Sequence, residues 1–108
     1  MAAQAIIAST QGFELVGESA DGASALRMLA EADADLILVD VRMPGIDGIE
    51  VATRLLAEDP TRVVVLASTL EPRSLSRLAR SCGVAAVINK HWLTPRLLHG
   101  LWVAHRRR

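Results

Sequence analysis

The sequence predicts an α/β domain in which a parallel sheet carries helices on both faces and its chemistry lies at the carboxyl ends of the strands. Short β-like runs recur at residues 13–18, 36–40, 63–67 and 85–89, with starts 22 to 27 residues apart. Two of these runs are nearly all aliphatic, as parallel strands covered on both faces are. Capped helical patterns fill the intervals, and strict alternation of strand and helix is the pattern of parallel strands joined by helical crossovers.

Taken in order, the residues through about Gln11 read as an Ala-rich helix, and residues 13–18 follow as the first strand-like run. Asp21-Gly22 opens a helix containing Leu26, Leu29 and Ala30. The apolar run Leu36-Ile37-Leu38-Val39 then delivers Asp40 into a loop with two strong turn pairs, Pro44-Gly45 and Asp47-Gly48. Asp47 is followed three residues later by Glu50, an N-cap and N3 pair that opens the next helix. That helix sets Ile49, Ala52, Leu55 and Leu56 on one side and ends near Pro60. Ser68-Thr69 follows the run at 63–67. Pro72 suits a first helical position, and Leu75, Leu78, Ala79 and Cys82 fall at i, i+3, i+4 and i+7 before Gly83 as the stop. The last run leads into Lys90, and Thr94-Pro95 starts a final helix with Leu97, Leu98, Leu101 and Trp102 facing inward.

The 108 residues suffice for one domain with one core, and no linker or low-complexity stretch divides them, so residues 1–108 read as a single domain. Net charge is zero, which argues against a broad nucleic-acid surface; Arg106-Arg107-Arg108 suits a helix C-terminus. No apolar run approaches the ~18 residues a membrane span needs, and no basic segment precedes a signal-like apolar core. Cys82, the only cysteine, has no disulfide partner within the chain and reads as small apolar filler in a cytoplasmic protein. His99 and His105 are six apart, not at the i, i+4 spacing of a zinc site, and His91 stands apart from both. Gly12, Gly17 and Gly22 lack the spacing of a phosphate-cradling loop. Trp92 and Trp102 read as packing residues, and Glu71 and Arg73 as solvated.

Three strand ends carry polar groups: Asp40, Ser68 (or its neighbour Thr69) and Lys90. Lys90 is the only lysine among twelve cationic residues. Adjacent parallel strands lie ~4.8 Å apart, so the three are expected to converge on one patch. A carboxylate nucleophile, a hydroxyl and an ammonium together suit a phosphoryl group: the carboxylate accepts it, and the other two hold its oxygens by charge-assisted hydrogen bonds.

Asp40 with the following MPGIDG, Ser68 twenty-eight residues on and Lys90 twenty-two beyond that resemble the receiver domain of bacterial two-component response regulators. The LVGESADG segment at residues 15–22 and the α/β rhythm are similar to receivers of the NarL/FixJ type, and the resemblance covers essentially the whole chain. It implies a flavodoxin-like (CheY-like) fold, here N-terminally truncated to about four strands, and a non-enzymatic phosphorelay role in signal transduction. By the same resemblance Asp40 is the phosphoacceptor, and Ser68, whose spacing fits better than that of Thr69, contacts the phosphoryl group and switches with Lys90. The implied partner is a histidine kinase or phosphotransfer protein, and the implied cofactor is Mg²⁺, held by Asp40 and the backbone carbonyl of Arg42.

The sequence departs from the family pattern in three places. Met1 falls inside the first helix, so the strand whose acidic pair completes the Mg²⁺ site does not precede it, and metal binding is expected to be weak. Val87 stands where many receivers have a switch aromatic, and His91 replaces the proline often found after the lysine. These departures support an alternative, a degenerate pseudo-receiver that serves as a phosphorylation-independent interaction module. They also predict self-association, unless the runs at 13–18 and 36–40 close up and pair directly.

Overall fold

Six consecutive buried residues, Val63–Ser68, none more than 6% exposed, form the centre of a parallel sheet. The computed structural model describes residues 3–41, 47–68 and 82–106. Its elements are α1 (Ala3–Ser9), α2 (Gly22–Glu31), β1 (Leu36–Asp40), α3 (Gly48–Glu58), β2 (Val63–Ser68), β3 (Ala86–Asn89), a 3-10 turn (Lys90–Trp92) and α4 (Pro95–His105). The strand order is β1-β2-β3, all parallel. Asp40 lies beside Ala67, Ala67 beside Ile88, and Ser68 beside Asn89.

Side-chain alternation along the strands feeds two apolar layers. On one face Ile37 and Val39 of β1 and Val64 and Leu66 of β2 meet Val51, Ala52 and Leu55 of α3, with Leu26 and Leu29 of α2 packed against them. On the other face Leu36, Leu38 and Ile88 meet Ile6 of α1 and Leu98 of α4. Helices thus cover both faces, as a parallel sheet requires. Arg62 ties the first layer together. Its guanidinium, on a side chain only 11% exposed, donates to the carbonyls of Leu29 (3.5 Å) and Leu55 (3.4 Å) in the last turns of α2 and α3, where a cation opposes the negative end of each helix.

The helix caps follow the expectation. Asp21 accepts from Ser24 N, Asp47 from Glu50 N and Thr94 from Leu97 N. Gly83 has a φ of +82°, the left-handed conformation that ends a helix. The expected helix over Pro72, Leu75, Leu78 and Ala79 lies outside the described residues; Cys82, at its end, is half-buried against the α2–α3 layer.

Two expectations are corrected. Residues 13–18 form no strand, so the sheet has three described strands rather than about four. The N–H of Phe13 turns back to the carbonyl of Thr10, and Leu15 and Val16 stand 36% and 56% exposed. The apolar pattern is present, but a strand exists only through ladder bonds to a neighbour, and among the described residues β1 pairs with β2 alone. The runs at 13–18 and 36–40 have not closed up. Trp92 does not pack: it is 70% exposed on the 3-10 turn, whereas Trp102 is half-buried.

Leu55→Ala is expected to cost ~2–5 kcal/mol, because a fully buried side chain is lost from the α3 layer. Leu15→Ser should change stability by less than about 0.5 kcal/mol, as at an ordinary surface position; denaturant melts measure both. The Asp21 carboxyl is held below its ordinary value of 3.8 by the Ser24 N–H and hydroxyl, and that of Asp59 by the Thr61 hydroxyl and N–H. Lowered folded values contribute stability that is complete above the ordinary value and is lost as pH falls through the folded one. The thermal midpoint should therefore fall on acidification below 3.8, and more shallowly in an Asp21→Asn/Asp59→Asn double variant.

Candidate functional site

The candidate site is built where β1 and β3 end. The ladder runs one residue past Asp40: Val41 N donates to the Ala67 carbonyl at 3.0 Å. The Val41 carbonyl in turn accepts from Gly48 N at 3.0 Å, so the first residue of α3 is stitched to the residue after Asp40. On the far side of β2, Asn89 ends β3 and its side-chain oxygen accepts from His91 N at 2.9 Å, which turns the chain into the 3-10 turn at Lys90.

Lys90 reaches across the end of β2, two strand spacings of ~4.8 Å each, and its Nζ lies 2.5 Å from Asp40 Oδ2. The pair is half-exposed, with the Lys90 side chain at 42% and that of Asp40 at 34%. Ser68 ends the intervening strand and is 2% exposed. The structure thus joins Asp40 and Lys90 directly and places Ser68 on the strand end between them. Arg42 and Thr69 lie outside the described residues.

Among the described residues the donors at Asp40 fall short of a Mg²⁺ site. The ion strongly favours a near-octahedral set of oxygens with one or two carboxylates. Here the Asp40 carboxylate is countered by the Lys90 ammonium, and that of Asp47 is engaged at 2.9 Å as the α3 cap. Among the described residues no three of His, Cys, Asp and Glu gather as a metal site.

Two residues that shape this edge, Gly48 and Asn89, carry no chemical signal in the sequence, and the exposure of Trp92 has none either. Gly48 reads as half of a turn pair, and its N–H also bonds α3 to Val41, the residue after β1. Asn89 reads as a strand residue; the cue to it is conformational, an Asn just before a change of backbone direction. Trp92, two residues after Lys90 on the same 3-10 turn, is exposed, and its neighbours in sequence carry no sign of that.

Comparison with known proteins decides the family. The model of the response regulator receiver domain matches residues 1–101. The chain belongs to this family. It is 32% identical over 94 residues, 87% of its length, to the transcriptional regulatory protein PdtaR of Mycobacterium tuberculosis, of which it spans 45%. It is 36% identical over 86 residues, 79% of its length, to a protein-glutamate methylesterase/protein-glutamine glutaminase of Myxococcus xanthus, of which it spans 25%. This receiver therefore spans less than half the length of these curated relatives. Among solved structures, the response regulator domain of Thermotoga maritima CheB superposes with a TM-score of 0.80 at 26% identity, covering 94% of this chain and 84% of that one. A LuxR-family DNA-binding response regulator from Staphylococcus aureus gives 0.84 at 19% identity, covering 95% and 86%, a likeness of fold. The fold is flavodoxin-like. No helix among the described residues is long and apolar enough to cross a membrane.

An ion pair this exposed contributes little to stability, ~0.2–1 kcal/mol. Lys90→Met should shift the denaturation free energy by no more than about 1 kcal/mol, and the shift should shrink in 1 M salt, where the Debye length is ~3 Å.

Proposed function

We propose that this receiver is a cytoplasmic phosphorelay signal protein with Asp40 as its phosphoacceptor and a histidine kinase or phosphotransfer protein as its donor. The observation that carries the reading is the Asp40 carboxylate held against the Lys90 ammonium at the open carboxyl edge of the sheet. In the transfer, an Asp40 oxygen attacks phosphorus, the P–N bond of the donor phosphohistidine breaks, and imidazole leaves with the bonding pair. Lys90 then exchanges its carboxylate contact for the phosphoryl oxygens, whose charge it offsets. Ser68, at the end of β2, supplies a hydroxyl to the same group, and its movement together with that of Lys90 reports the modification.

Mg²⁺ is the cofactor the family implies, with Asp40 and the Arg42 carbonyl as its donors here. A single carboxylate already paired with an ammonium is a poor site for it. The same poverty of donors favours a second reading, a pseudo-receiver whose partner binds the domain without phosphorylation.

With a small phosphodonor, the 108-residue chain is expected to label slowly and with weak Mg²⁺ dependence, at a hydroxylamine-labile position that Asp40→Asn removes. Mass spectrometry with and without Mg²⁺ checks this. Rapid, strongly Mg²⁺-dependent labelling would show that the metal site is competent. Labelling neither by small donors nor by phosphohistidine proteins would leave the interaction module as the function.

A further inference from the structure

We propose that Gly48 is a positioning residue for the Asp40 carboxylate, with the bare backbone of α3 seated on the backbone of Asp40 and aiming its side chain at Lys90. This deepens the phosphoacceptor reading and rests on it for its consequence in signalling. The steric observation is direct. A Cβ at residue 48 would fall well inside contact with the Asp40 carbonyl oxygen, and 2.8 Å from both the Asp40 carbonyl carbon and the Val41 Cα. All three atoms are backbone, so no flexible side chain can move aside. By contrast, a Cβ at Gly100 of α4 would meet nothing within 4 Å.

The contact has a bonded counterpart. Gly48 N donates to the Val41 carbonyl at 3.0 Å, while Val41 N is bound to Ala67 on the other side. Val41, the residue after Asp40, is therefore clamped between β2 and α3. Asp47, immediately before Gly48, caps α3 and fixes the direction in which the helix leaves. Any side chain at position 48 must push α3 away or displace the Asp40 peptide. Displacement is felt at the carboxylate, because Lys90 meets Asp40 from a separate strand two places away and does not move with it.

Zero-length cross-linking with a water-soluble carbodiimide reads the Asp40–Lys90 approach directly, as a peptide pair joined with loss of water. Gly48→Ala is expected to lower the yield of this pair several-fold at a temperature where the protein remains folded. Leu55→Ala loses core packing elsewhere on α3 and should keep the wild-type yield. A wild-type yield in Gly48→Ala overturns the proposal, because the glycine would then serve helix packing alone. Should Gly48→Ala not fold, the wild-type chain decides the matter in sub-denaturing urea. The cross-link should disappear together with exchange protection of the Gly48 amide; persistence of the cross-link after that amide has opened overturns the proposal. No phosphoryl donor enters these measurements, so a chain that cross-links as expected yet takes no phosphoryl group removes the phosphoacceptor reading and leaves the positioning role of Gly48 intact.

Discussion

The sheet edge that carries Asp40, Ser68 and Lys90 depends on the burial of β2. A strand with six successive residues out of water has no solvent to satisfy its backbone, so every N–H and C=O must find a partner in a neighbouring strand or just beyond it. Parallel pairing on both sides meets that demand, and it aligns three carboxyl ends at one edge. The central strand lends this edge no charge of its own. It brings Ser68, and it sets the separation that Lys90 must span to reach Asp40. The two apolar layers, α2 and α3 on one face and α1 and α4 on the other, hold β1 and β3 against β2 and so hold that separation constant.

The ion pair at this edge is better understood as poise than as stability. Both partners are partly solvated, and their attraction is offset by hydration and by the entropy of holding a lysine side chain. A contact of that strength can be exchanged for a more highly charged group at small cost, which a buried pair cannot do. Placing the lysine at the start of a 3-10 turn capped by Asn89 fixes its backbone and leaves its long side chain to move. The chain belongs to the receiver family, and the full-length relatives extend well beyond the matched region.

Much of the site was legible because its residues announce themselves by spacing. Asp40, Ser68 and Lys90 each close an apolar run, and parallel strands of similar length bring such ends together whatever the helices between them do. Caps were legible for a local reason: Asp21, Asp47 and Thr94 act on N–H groups three residues away. The run at 13–18 misled because its apolar pattern is local while its pairing is not. Trp92 misled in the opposite sense, since a large aromatic is usually covered, and here a tight turn after β3 carries it out to solvent.

The amino-acid sequence by itself determined the three strands β1, β2 and β3, the two-faced apolar pattern of β1 and β2, the caps and the polar residues at the strand ends. Each of these follows from side-chain chemistry read over a few positions. Only the tertiary structure decided that residues 13–18 stay outside the sheet, that the Lys90 ammonium closes on the Asp40 carboxylate, and that Gly48 lies against the backbone of Asp40. These depend on contacts between segments remote in the chain, where backbone hydrogen bonds and excluded volume act across space and local pattern carries no record of the distance.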